Sequence, residues 1–202
     1  MALTILNIIG SVAFALSGAL VAIEEEYDIF GILVLGLITA FAGGMIRNLI
    51  VGLPVAAVWH QTWSFASALI AMFVAIVFPV GVVKYGIKPM LLFDAMGLAT
   101  FAVEGALYAE RIHGSAGTIL VAAAMTGVGG GVIRDVLAQR KPTVLRADTY
   151  AVWALLAGAV VSLGWVNPYT PWRIYALIGV IFVLRILSLV FNWRLPRAGK
   201  AT

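Results

Sequence analysis

The chain has 202 residues, 63% of them hydrophobic and 11% charged, with a mean hydropathy of +1.07 and a formal net charge of +4. A soluble domain carries about 25% charged residues, so the apolar excess has too little polar cover for a water-facing surface, and a soluble enzyme or nucleic-acid-binding domain is excluded. The absence of cysteine excludes disulfides and thiolate metal sites, and only His60 and His113, both expected in loops, offer imidazole.

The apolar runs are hydrophobic on every side rather than alternating, so they read as membrane-spanning helices and not as barrel strands. Seven are expected, at Ile5–Ile23, Ile29–Val51, Ser64–Val80, Met90–Tyr108, Gly117–Leu137, Tyr150–Trp165 and Arg173–Trp193. No basic segment precedes the first run, which reads as a retained helix rather than a signal peptide. Glu24-Glu25-Glu26-Tyr27-Asp28 reads as a solvated acidic turn. Pro54 follows the second span; Lys84, Gly86, Lys88 and Pro89 separate the halves. Lys141-Pro142 follows the fifth span, and Asn167-Pro168 with Pro171 precedes the seventh. Lys84, Lys88, Arg140, Lys141, Arg146, Arg194, Arg197 and Lys200 fall on one side, against Arg111 and Arg173 on the other. The positive-inside bias then places the N-terminus outside and the C-terminus in the cytoplasm, in a cell (inner) membrane, with the basic loops near anionic lipid. Trp59, Trp63, Trp165, Trp172 and Trp193 mark the membrane interfaces.

An internal repeat organises these spans. A constant offset of 87 sets Asn7 on Asp94, Gly10 on Gly97, Phe14 on Phe101, Gly18-Ala19-Leu20 on Gly105-Ala106-Leu107, Gly43-Gly44 on Gly130-Gly131 and Ile46-Arg47 on Ile133-Arg134. Residues 5–80 and 90–166 each hold three spans. An odd number of crossings turns the second half over relative to the first. The fold expected is all-α and integral to the membrane, a single domain of seven transmembrane helices. It consists of two inverted three-helix repeats plus a seventh helix at 173–193.

The stretch Thr126-Gly127-Val128-Gly129-Gly130-Gly131-Val132-Ile133-Arg134-Asp135 is the most unusual in the chain. Consecutive glycines weaken a helix, so Gly129, Gly130 and Gly131 are expected to kink the fifth span and open its backbone to an ion path. Gly43 and Gly44 are the milder counterpart, and the plain alternative is close helix packing through small residues. Arg47 and Arg134 each follow the last motif glycine by three residues, so both lie on the glycine face. An arginine at the bilayer centre costs about 2.5–3.5 kcal/mol, so each must face protein, water or an interface. Asp135 directly follows Arg134, so the two are expected to point apart and to find partners on other helices. Glu104, aligned with Ser17, is expected neutral, in water or paired with an arginine. Asn7, Asp94 and Asn48 complete the candidate pathway, and Arg185 is expected to snorkel or to pair structurally.

No nucleophile elbow, zinc motif or phosphate loop is present, so the chain does not read as an enzyme. The segment Gly129 to Leu137, followed by Pro142 and Val144-Leu145-Arg146, resembles the second repeat motif of the prokaryotic trimeric intracellular cation (TRIC) channels. Ala13 to Leu20 resembles that family's first-helix motif. The family is also described by a glycine-transporter domain. The resemblance implies a homotrimer in membrane lipid, with one pore per protomer lined by the second and fifth helices. It also implies a monovalent cation, chiefly potassium, as the permeant ion. No cofactor or metal is implied beyond permeant potassium or sodium and bound lipid. The first motif departs from the family pattern in reading Ala42-Gly43-Gly44 and ending in Arg47-Asn48. The competing reading is a secondary carrier of glycine or another small zwitterion, with a non-transporting scaffold as a third.

Overall fold

A computed structural model describes residues 2–78, 89–145, 149–166, 170–193 and 195. Seven α-helices follow in order: α1 (Ala2–Glu24), α2 (Ile29–Ile50), α3 (Thr62–Val77), α4 (Pro89–Arg111), α5 (Ala116–Leu137), α6 (Tyr150–Ser162) and α7 (Pro171–Val190). Short 3-10 turns at Val55–His60 and Thr143–Leu145 lie between them, so His60 ends a helical turn rather than sitting in an open loop. Five helices, α1, α2, α4, α5 and α7, are long and apolar enough to cross a bilayer; α3 and α6 are shorter apolar helices. Val80, Lys84, Gly86, Lys88, Arg146, Asn167, Pro168, Arg194, Arg197 and Lys200 lie outside the described residues.

The repeat is written into the helix ends as well as the helices. Asp28 caps α2 by accepting from the Gly31 amide at 2.7 Å, and Ser115 caps α5 by accepting from the Thr118 amide at 3.2 Å. These capping residues stand at equivalent positions, where a short oxygen-bearing side chain satisfies an amide that the first turn leaves free. Left-handed backbone follows α1 at Glu26 and α4 at His113, with φ of 57° and 56°. It recurs after α2 at Gly52 and after α5 at Gln139, with φ of 72° and 54°. The turns that reverse the chain thus have the same geometry in both halves, although their residues differ.

Of the five long helices, α1 and α4 are the most enclosed and α7 is the most exposed. Within each half the first helix carries the other two: α1 packs on α2 and α3, and α4 packs on α5 and α6. The halves join through α1 against α4 and α2 against α5, while α7 lies outside the repeat on α4 and α6. At the α1–α4 junction the equivalent rings Phe14 and Phe101 meet edge-to-face with centroids 5.3 Å apart. Each ring occupies space that a side chain on the opposite glycine would need: a Cβ on Gly97 would strike Phe14, and one on Gly10 would stand 2.5 Å from Phe101. Phe30, Trp63, Ile70, Phe73, Trp165 and Trp172 remain exposed on the outside, as a protein solvated by lipid requires.

Candidate functional site

The two glycine segments meet at the crossing of α2 and α5. A Cβ on Gly43 would strike the Thr126 carbonyl oxygen, and a Cβ on the equivalent Gly130 would strike the Thr39 carbonyl oxygen, so the backbones touch there. Both helices keep helical backbone through their glycines, and Gly43, Gly129, Gly130 and Gly131 are buried. Successive helical positions point about 100° apart, and each glycine of the triplet meets a different neighbour. A Cβ on Gly129 would meet Ile46, one on Gly130 the Thr39 carbonyl of α2, and one on Gly131 would stand 3.1 Å from the Tyr150 hydroxyl and 3.3 Å from Asp94 Oδ1. One glycine would have allowed only one of these approaches.

The crossing separates two buried arginines. At one end, Arg47 is 2% exposed and donates to Glu104 Oε1 at 2.6 Å. Its Nε and Nη2 donate to Asn48 Oδ1 at 3.1 and 3.0 Å, and its guanidinium lies 3.9 Å from the centre of the Tyr108 ring. Asn48 in turn donates to the Pro54 carbonyl at 3.1 Å. Asn7 points its amide at the Leu3 carbonyl of its own helix, at 3.1 Å. Neither arginine snorkels, because a carboxylate from another helix matches each one where it stands.

At the other end, Arg134 is 1% exposed and donates through Nη1 to Asp94 Oδ1 and to Ser17 Oγ, both at 2.6 Å. Contrary to the expectation from adjacency, Arg134 also holds Asp135: Nε and Nη2 lie 2.8 and 2.7 Å from Oδ1. The two Cβ atoms do diverge, but the long guanidinium stem folds back along the last turn and reaches its neighbour. Asp135 Oδ2 accepts from the amide and hydroxyl of Thr143 at 2.7 and 2.8 Å, fixing the chain that leaves α5.

Two residues that sequence reasoning left aside, Tyr108 and Tyr150, join these clusters together with Arg185. Tyr108 follows Glu104 by four positions, a spacing that puts both on one helix face and offered a usable signal. Tyr150 gave none, since its place beside Asp94 depends on how α6 packs. Arg185 of α7 is 1% exposed, with its guanidinium 4.4 Å from the centre of the Tyr150 ring, so it faces inward and does not snorkel. The acidic turn is exposed, as expected, and Arg140 donates across it to Glu24 at 2.9 Å and to Glu25 at 2.5 Å.

A polar cavity of about 480 Å³ opens beside the Arg47 end, lined among others by Thr4, Asn7, His60, Gln61, Tyr108 and Arg111. Asn7 and Gln61 also border a pocket of about 10 Å³ that reaches Ser11, Gly44 and Arg47. That volume suits about one water molecule. The Ser11 hydroxyl within it is buried and has no hydrogen-bond partner among the described residues.

Comparison with known proteins gives concordant matches. The family model described as glycine transporter matches twice, over residues 4–79 and 91–166. The UPF0126 membrane protein YvgT of Bacillus subtilis is 50% identical over 196 residues, covering 97% of this chain and 96% of that protein. A solved structure of the TRIC trimeric intracellular cation channel orthologue from Rhodobacter sphaeroides is 31% identical and covers 96% of this chain and 100% of its own, with a TM-score of 0.82. A further solved structure, from work on conductance through TRIC cation channels, is 34% identical with 98% of both chains covered and a TM-score of 0.81. The inverted halves, the crossing of α2 and α5 and these likenesses over nearly the whole length make this a multi-pass membrane protein that belongs to the family of the prokaryotic TRIC channels.

Proposed function

We propose that the protein is a potassium-preferring monovalent cation channel that assembles as a homotrimer, with one pore in each protomer between α2 and α5. The relatives of solved structure are named as cation channels, and as trimeric in the Rhodobacter case. The observation that carries the reading is the polar cavity beside the Arg47 end, which shares Asn7 and Gln61 with the small pocket against Gly44 and Arg47. Residues 5–80 and 90–166 form its two halves, with 173–193 as a peripheral helix. The N-terminus lies outside and the C-terminus in the cytoplasm.

In this reading the present conformation is closed. The path ends where Gly43 and Gly130 press on opposing carbonyls, and each arginine is bonded to a carboxylate across the path. Opening requires α2 and α5 to part, which exposes the carbonyls of Thr39 and Thr126 to a dehydrating cation. Ser17, Asn48 and Asp135 hold the arginines as the helices move. The glycine-transporter description favours a second reading, a carrier of a small zwitterion. Such a site needs a cation for the carboxylate and an anion for the ammonium, and here those groups are bonded to each other. Potassium flux into liposomes holding the purified protein tests the choice. Saturable glycine uptake without potassium flux would overturn the channel reading.

A further inference from the structure

The Arg134 cluster holds one more carboxylate than the Arg47 cluster. Arg47 faces Glu104 alone, since the other equivalent positions carry Asn7 and Asn48. Arg134 faces both Asp94 and Asp135. An unbalanced carboxylate in this interior is costly, so a second cation is required. The cation at hand is on α7, the helix outside the repeat: the buried Arg185 guanidinium lies 4.4 Å from the centre of the Tyr150 ring. The Tyr150 hydroxyl and Asp94 Oδ1 converge on Gly131, 3.1 and 3.3 Å from where its Cβ would stand, so the field of Asp94 reaches Arg185. The match is through the field rather than a bond. Arg185 Nε and Nη2, the Tyr150 hydroxyl and Asp94 Oδ2 are all buried, and none has a hydrogen-bond partner among the described residues. Asp94 sits at 0% exposure with one oxygen bonded to Arg134 and the other unused.

We propose that Arg185 is a tethered competitor for a monovalent cation site built from Asp94 Oδ2 and the Tyr150 hydroxyl. Both donors are oxygens, the ligand type that suits a hard cation such as potassium or sodium. While Arg185 is present, the cluster is neutral and its carboxylate has no net attraction to offer a mobile ion. Removing the guanidinium leaves a buried net charge of one unit, which a potassium ion can neutralise. The nature of the ion rests on the channel reading above; the charge balance does not.

Thermal unfolding of the purified protein is the test, with potassium replacing choline at constant ionic strength, because an ion bound only by the folded state raises the midpoint. Wild type, Arg185→Gln, Arg185→Lys and the pair Arg185→Gln with Asp94→Asn are compared. Arg185→Gln is expected to gain a midpoint rise that saturates at a potassium concentration at least about tenfold below any wild-type response. Arg185→Lys and the paired variant are expected to match the wild type. A flat response in Arg185→Gln, or an equal rise in the paired variant, overturns the site. If Arg185→Gln does not fold, recovery of folded protein on adding Asp94→Asn supports the charge coupling, and failure to recover refutes it. Potassium flux in liposomes is measured alongside. A wild type without flux but with this midpoint pattern removes the channel reading and leaves the site standing.

Discussion

The Arg47 and Arg134 ends occupy equivalent positions in two inverted halves, yet they are satisfied differently. Around Arg47 the carboxylate comes from the opposite half, at Glu104; around Arg134 that position is Ser17. The carboxylate there comes instead from the same half, at Asp94, where the first half has Asn7. The next pair shows why. Position 48 faces the Pro54 carbonyl and must donate, so it is an asparagine; position 135 faces the Thr143 amide and hydroxyl and must accept, so it is an aspartate. The Arg47-Asn48 departure from the family motif is therefore a local hydrogen-bond requirement. Pseudo-symmetry preserves the backbone and the arginine, while each neighbourhood chooses the counter-charge.

The sharpest way to break this comparison is to remove the single carboxylate at the Arg47 end. Glu104→Gln leaves Arg47 buried without a counter-ion and is expected to destabilise the protein by about 3–5 kcal/mol, read as a fall in unfolding midpoint in detergent. Asp94→Asn is the paired experiment and is expected to cost less, about 1–3 kcal/mol, because Arg134 keeps Asp135 and Arg185 loses a counter-charge to which it makes no bond. Equal losses would show that Asp135 does not share the work. At the crossing the halves are expected to respond alike: Gly43→Ala and Gly130→Ala each push a methyl into an opposing carbonyl, costing about 1–3 kcal/mol. Gly44→Ala meets Val58 at 3.4 Å and Arg47 Nη2 at 3.7 Å, both ordinary contacts, and is expected to be tolerated, as judged by yield of assembled protein. The smallest effect belongs to Arg140→Gln, which breaks ion pairs with Glu24 and Glu25 that are each about a third exposed. Its cost is expected below about 1 kcal/mol and to shrink as salt is added.

Periodicity and composition alone determine that this chain lies in a membrane, where its spans fall, and that its halves are related by inversion. They do so because a bilayer admits only long apolar helices, and because a constant offset between like residues needs no structure to be seen. The polar pairs are a tertiary matter. Adjacency in sequence suggested that Arg134 and Asp135 point apart, but a guanidinium reaches much farther than its Cβ direction implies. Three glycines in a row report a weakened backbone and say nothing of the neighbours that press on it. Packing decided that Ile46, Thr39 and Tyr150 stand against Gly129, Gly130 and Gly131, and Thr126 against Gly43. It also brought Arg185 from outside the repeat to the one cluster with a carboxylate to spare, a meeting that no spacing along the chain encodes.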